Sequence, residues 1–189
     1  IVAQPPARLK LRLALQALSA GGVIACPTEA VWGLSCDPQN RLAVERLLAL
    51  KARSPAKGLI LVAATESQLE FLLADLDPGL RQAASASWPG PSTWLVPHAG
   101  RVPVWIHGEH DTVAVRVSAH PVVRALCVAW GGPLVSTSAN PSGCIPPRYG
   151  YQVKRYFGEQ LDYLLPGATQ NSDRPTAIRD LASGRIVRA

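Results

Sequence analysis

The sequence contains no methionine, so Ile1 is not read as the translational start. No apolar run approaches the roughly 18 residues of a membrane span and no signal peptide precedes the first expected helix, so a soluble, cytoplasmic protein without a membrane partner is expected. The four cysteines, Cys26, Cys36, Cys127 and Cys144, show no C-x-x-C spacing. Three of them lie in or beside apolar runs, which suits reduced thiols used for packing. Neither G-x-x-x-x-G-K-[ST] nor G-x-G-x-x-G occurs, which removes support for the standard nucleotide-binding folds. There is no G-x-S-x-G and no convincing Ser-His-Asp set, and Cys26 beside Pro27 has no evident base, so no covalent nucleophile is expected. His107-Gly108-Glu109-His110-Asp111 has metal-ligand residue types but is short, contains glycine and lacks helical spacing. It reads as a solvated loop, and no metal site is assigned. Internal repeats and low-complexity segments are absent as well.

What is present is a chain of 189 residues, 48% hydrophobic and 17% charged, long enough for one domain over residues 1–189 with a sizeable core. A net charge of +6 and a pI near 9.5 favour an anionic partner, nucleotide or RNA. The most informative stretch is Pro133 to Gly143. Leu134 and Val135 end an apolar run of the kind that forms a buried strand, and Asn140, Pro141 and Gly143 stop it. Alternate residues of a strand share a face, so Ser136, Ser138 and Asn140 project together where the sheet runs out, a place where open α/β sheets bind ligands. An ST-turn satisfying its own backbone would explain any one of these residues alone.

Other segments fall into a mixed pattern. Pro6 to Ala20 has helical spacing, Val23 to Cys26 reads as a strand, and Arg41 to Ala52 as a helix capped by Asn40 with Val44, Leu47 and Leu48 inward. Lys51, Arg53 and Lys57 gather at the end of that helix, outside the core, where they suit either the helix dipole or an anion clamp. Gly58 to Ala64 is a strand, and Thr65-Glu66-Ser67-Gln68 has capping-box form. In Thr112 to Val117 the valines face one way and Thr112, Ala114 and Arg116 the other. Helices over 121–130 and 153–157, a short strand at 163–165 and a C-terminal hairpin complete the reading. Strands mixed with helices predict an α/β protein.

Six motifs in register then resemble the YrdC family of threonylcarbamoyl-AMP synthases. They are Pro27-Thr28-Glu29 with Val31-Trp32-Gly33-Leu34; Lys51-x-Arg53 with Lys57-Gly58-Leu59; Trp88-Pro89-Gly90-Pro91-x-Thr93; Val113-Ala114-Val115-Arg116-Val117; Ser136-x-Ser138-Ala139-Asn140-x-Ser142-Gly143; and Pro175-Thr176-Ala177-Ile178-Arg179-Asp180. The resemblance runs from about Gly21 to the C-terminus, at the length of the short, single-domain members. Trp32, Ser35 and Ser54-Pro55 depart from the usual pattern.

The resemblance implies a twisted, mixed parallel and antiparallel sheet flanked by helices, YrdC/RibB-like. The implied reaction joins L-threonine, bicarbonate and ATP into threonylcarbamoyl-AMP and releases pyrophosphate, for threonylcarbamoyladenosine in tRNA, with a threonylcarbamoyl transferase complex downstream. Thr28, Arg116 and Ser136 match the threonine site, and Lys51, Arg53, Thr112, Ser138 and Asn140 the ATP site. Thr176 and Arg188 match tail residues that close over the substrates, Lys57 is a further cation, and Mg2+ is implied with ATP. The alternative is a non-catalytic factor binding double-stranded RNA, tRNA or rRNA.

Overall fold

The structure is a computed structural model that describes residues 3–170 and 176–188. Helix α1 (Arg8–Ser19) buries Ala14 and Leu18. It leads into an antiparallel pair, β1 (Ile24–Pro27) and β2 (Trp32–Ser35), whose residues are all buried. Helix α2 (Arg41–Leu50) begins at Asn40, whose side chain accepts a hydrogen bond from the Ala43 amide at 3.1 Å, and it buries Val44, Leu47 and Leu48 as expected. A 3-10 turn, Pro55–Lys57, precedes β3 (Ile60–Ala63).

The capping box expected at Thr65 does not form. Gln68 turns away to a partner 59 residues distant: its Oε1 accepts from the Ala64 amide at 2.8 Å and its Nε2 donates to the Cys127 carbonyl at 2.8 Å. The Thr65 hydroxyl pairs with Ser67 instead, and a 3-10 turn leads to the short α3 (Glu70–Leu73). There follow α4 (Pro78–Ser85), β4 (Ser92–Pro97), a helical turn α5 (Val104–His107), β5 (Thr112–Val117), α6 (Pro121–Trp130) and β6 (Leu134–Ser138). The chain ends with α7 (Gly150–Phe157), β7 (Tyr163–Leu164) and the antiparallel hairpin β8 (Ala177–Asp180) and β9 (Ile186–Arg188).

Among the described residues the nine strands join one mixed sheet in the order β7-β1-β2-β6-β3-β5-β4-β8-β9, parallel at β1·β7, β3·β5 and β4·β8 and antiparallel elsewhere. Strand alternation sorts its side chains into two cores. Val113, Val115 and Val117 of β5 pack on one face with Leu61, Val135 and the α2 leucines. On the other face Ile24, Cys26, Val62 and Leu134 pack beneath α1 and α6. That helical cover is incomplete. Val62 pairs with Arg116 and Leu134 in the covered row, whereas Ile60 pairs with Ala114 and Ser136 in the next one, where the face opens.

Candidate active site

The open part of this face is the floor of a cavity of about 690 Å³. Thr28, Thr112, Arg116, Ser136, Ser138 and Thr176 line it, with Arg53 and Lys57. Each arrives for a local reason. Thr112, Arg116, Ser136 and Ser138 alternate along β5 and β6 with the core residues Val113, Val115, Val117 and Val135. Thr28 directly follows β1, and Gly33 of β2, close beside it, has no side chain. A Cβ at Gly33 would stand 3.2 Å from both Thr28 Cγ2 and the Thr137 carbonyl, so glycine lets this wall close up.

Electrostatics set the character of the site. Its lining carries three fixed cations, Arg53, Lys57 and Arg116, and among the described residues no carboxylate lines it. Arg116 is buried at one end. Its Nη1 donates to Thr176 Oγ1 at 2.6 Å and its Nη2 to Glu29 Oε2 at 3.0 Å. Arg53 and Lys57 stand at the other end, and Arg53 Nη2 donates to the Gly58 carbonyl at 3.0 Å. The Thr28 hydroxyl donates to the Val31 carbonyl at 2.7 Å, so it offers the cavity lone pairs.

Two expected residues are near the cavity but do not line it. Lys51 is not at the surface: it is 3% exposed, and its Nζ donates to the carbonyls of Ser138 and, at 2.7 Å, Asn140. Burial, with the Arg53 charge added, lowers its pKa to about 8. The Asn140 side chain donates to the carbonyls of Pro141 and Cys144 at 3.0 and 2.7 Å. Both residues therefore shape the turn after β6 that presents Ser138. Arg188 belongs to β9, and its side chain lies outside the described residues, while its neighbour Val187 lines the cavity.

The segment 107–111 is not simply a solvated loop. Glu109, His110 and Asp111 are exposed as expected, but His107 is half-buried, stacks on His98 with ring centroids 3.9 Å apart, and lines the cavity together with His110. The pull is packing against the Pro55–Lys57 turn: the Glu109 amide donates to the Ala56 carbonyl at 3.2 Å and the Leu59 amide to the Ile106 carbonyl at 2.8 Å. Among the described residues no group of three or more His, Cys, Asp or Glu is placed to hold a metal ion, and no helix is long and apolar enough to cross a membrane.

A family model described as "Telomere recombination", for the domain shared by Sua5, YciO and YrdC, matches residues 16–189. The chain belongs to the Sua5/YciO/YrdC family. Relatives within reach include threonylcarbamoyl-AMP synthases of Saccharophagus degradans, 54% identical over 95% of this chain and 94% of the relative, and of Marinobacter nauticus, 53% identical over 97% of both. Among solved structures, P. abyssi Sua5 complexed with L-threonine superposes with a TM-score of 0.86 at 31% identity, covering 96% of this chain and 54% of that one. E. coli YciO, at 24% identity, shares the fold with a TM-score of 0.88 over 98% of this chain and 91% of its own.

Besides the two histidines, the motifs of this Sua5/YciO/YrdC domain left Glu29 without a role. Its carboxylate is buried behind Arg116 and also accepts from Ser118 Oγ at 2.6 Å and the Ala119 amide at 3.2 Å. Burial acts to raise its pKa, but the Arg116 charge and the Ser118 bond outweigh that and hold it below the usual value. The signal was in the sequence: an acid at the end of one apolar strand and an arginine inside another.

Two expectations follow for the domain. Lys51→Ala removes a buried strut and should cost about 1.5 to 3 kcal/mol in denaturant unfolding. Arg53→Ala, at the cavity edge, should instead leave the unfolding midpoint near wild type and weaken ATP binding. Equal midpoints for both variants would return Lys51 to the anion clamp of the ATP site expected for it. Cys26, Cys36 and Cys127 are buried and their thiols are pushed up to about 12 by burial, whereas Cys144 is exposed. Iodoacetamide under native conditions should therefore add one label, at Cys144, with activity retained. A second fast label in intact-mass spectra would contradict this burial.

Proposed function

We propose that this chain is a threonylcarbamoyl-AMP synthase, joining L-threonine, bicarbonate and ATP and releasing pyrophosphate. The observation that carries the reading is a cavity with cations at both ends, hydroxyls between them and, among the described residues, no carboxylate in its lining. Thr112 and Arg116 share one face of β5 four residues apart, roughly 13 Å along a strand. Gly58, two residues before Ile60, leaves the sheet at the level of Thr112, which puts Arg53 and Lys57 at that end. Arg116 suits the carboxylate of threonine, Arg53 and Lys57 suit phosphates, and Thr28, Ser136 and Ser138 lie between.

The chemistry asks for positioning. The amine of threonine adds to carbon dioxide derived from bicarbonate and loses a proton to give a carbamate. A carbamate oxygen then forms a bond to the α-phosphorus of ATP as the bond to the β-phosphate oxygen breaks and pyrophosphate departs. No protein nucleophile is needed, and held reactants with fixed donors lower the barrier. The lone pairs of Thr28 suit an N–H or O–H of threonine. Magnesium fits this lining only as part of Mg·ATP, with phosphates and water as ligands, since no side-chain carboxylate faces the cavity among the described residues. The product then serves a threonylcarbamoyl transferase acting on tRNA in the cytoplasm. Shape-led RNA binding would need cations spread over a surface rather than hydroxyls converging on one cavity.

The test is pyrophosphate release with threonine and bicarbonate each omitted in turn, with mass spectrometry of the nucleotide product. Dependence on both, with the mass of threonylcarbamoyl-AMP, is the expected result. ATP turnover indifferent to threonine would overturn the reading.

A further inference from the structure

We propose that His107 and His110, with Lys57, form a subsite for the terminal phosphates of ATP and hence for the pyrophosphate leaving group. This rests on the synthase reading above and deepens it. The two histidines belong to no part of the site assigned from the motifs, yet both line the cavity. Their position is fixed by backbone packing. Gly108, at φ 66°, lies so close to the Pro55–Lys57 turn that a Cβ there would stand 2.4 Å from the Ala56 carbonyl oxygen. The Leu59 and Glu109 amide bonds described above complete the clasp, so the histidine segment and the Lys57 turn are packed into one wall.

The chemistry of the pair favours phosphate. His107 is held on one face by the His98 ring, tilted only 13° from it, and His98 Nδ1 is itself engaged by the Gly100 amide at 3.1 Å. His107 Nδ1 is buried without a partner among the described residues, which leaves Nε2 as the nitrogen that can meet a ligand. A buried Nδ1–H with nothing to receive it would be costly, so in the singly protonated ring the proton belongs on Nε2, as a donor. His110, from the exposed end of the same segment, adds a second imidazole. Its neighbours Glu109 and Asp111 are exposed and do not line the cavity, so among the described residues no carboxylate opposes the donors there. This wall stands at the Arg53 and Lys57 end, away from Arg116, where a triphosphate would lie if the carboxylate of threonine is at Arg116.

The experiment is isothermal titration of the full chain with magnesium pyrophosphate, Mg·ATP and AMP. His107→Leu and His110→Ala should each weaken pyrophosphate and ATP binding about 3- to 10-fold, the loss of one ordinary hydrogen bond, and change AMP binding less than about twofold. His107→Gln, which places an amide N–H near the position of Nε2, should recover most of the affinity. Equal losses for AMP and ATP would place the histidines at the nucleoside, and unchanged pyrophosphate binding in His110→Ala and His107→Leu would overturn the proposal. Should His107→Leu fail to fold, His110→Ala keeps the test alive, because that side chain is exposed. Failure of the synthase reading would look different: the wild type itself would lack threonine-dependent pyrophosphate release.

Discussion

Replacing Arg116 with lysine should raise the threonine KM roughly 10- to 150-fold, the equivalent of about 1.5 to 3 kcal/mol for a charge-assisted contact, and move the ATP KM far less. The charge is kept, so a general anion site would tolerate the change. A guanidinium, however, works here as a fork: Nη2 is committed to Glu29, Nη1 is bonded to the Thr176 hydroxyl, and Nε is buried without a partner among the described residues. A substrate carboxylate is a stronger acceptor than a hydroxyl and should take Nη1 from Thr176. A lysine ammonium is a single point and cannot hold Glu29 and a ligand in that geometry. Threoninol, which lacks the carboxylate, should be a poor substrate of the wild type and gain nothing from the substitution. Initial rates at varied threonine and then varied ATP decide it. Equal effects on the two substrates would mean that Arg116 serves the sheet or a phosphate.

Glu29→Ala should be the most destabilising single change at the site, costing about 3 to 5 kcal/mol, because it strands a buried guanidinium. Glu29→Gln keeps the shape and should cost less, yet it should still raise the threonine KM by freeing Arg116 to turn. The pair also predicts acid sensitivity. The pKa of Glu29 is lower in the fold than in the unfolded chain, so its contribution is present above about pH 4.3 and is lost as pH falls through the folded value. Stability of Glu29→Gln should accordingly fall less steeply below about pH 4 than that of the wild type. Parallel acid unfolding curves for the two proteins would show that the ion pair contributes nothing there.

The sheet positions were legible because period-two alternation is a strong signal. The valines of β5 and the switch from Leu134 and Val135 to Ser136 and Ser138 announce both the core and the cavity floor. Residues whose role depends on a partner far along the chain were less legible. Lys51 follows a helix, which says nothing of the carbonyls of Ser138 and Asn140 that bury it. Thr65 has the form of a capping box, but Gln68 is claimed by Cys127, a bond no local rule contains. His107 was set aside for lacking metal-ligand spacing, when its neighbours were another histidine and a turn 50 residues earlier.

The way this sheet is stitched has a kinetic consequence. Strand β3 lies between β5 and β6, β4 is paired in parallel with β8, and the cavity takes Thr28 from just after the first strand and Thr176 from just before the last hairpin. No contiguous part of the chain contains the whole site. Pairings of such long sequence separation make refolding slow, and substrate affinity arises only once the last of them has closed. Threonine and ATP should therefore slow unfolding in proportion to their occupancy while leaving the refolding rate unchanged, a chevron in which ligand moves one arm alone.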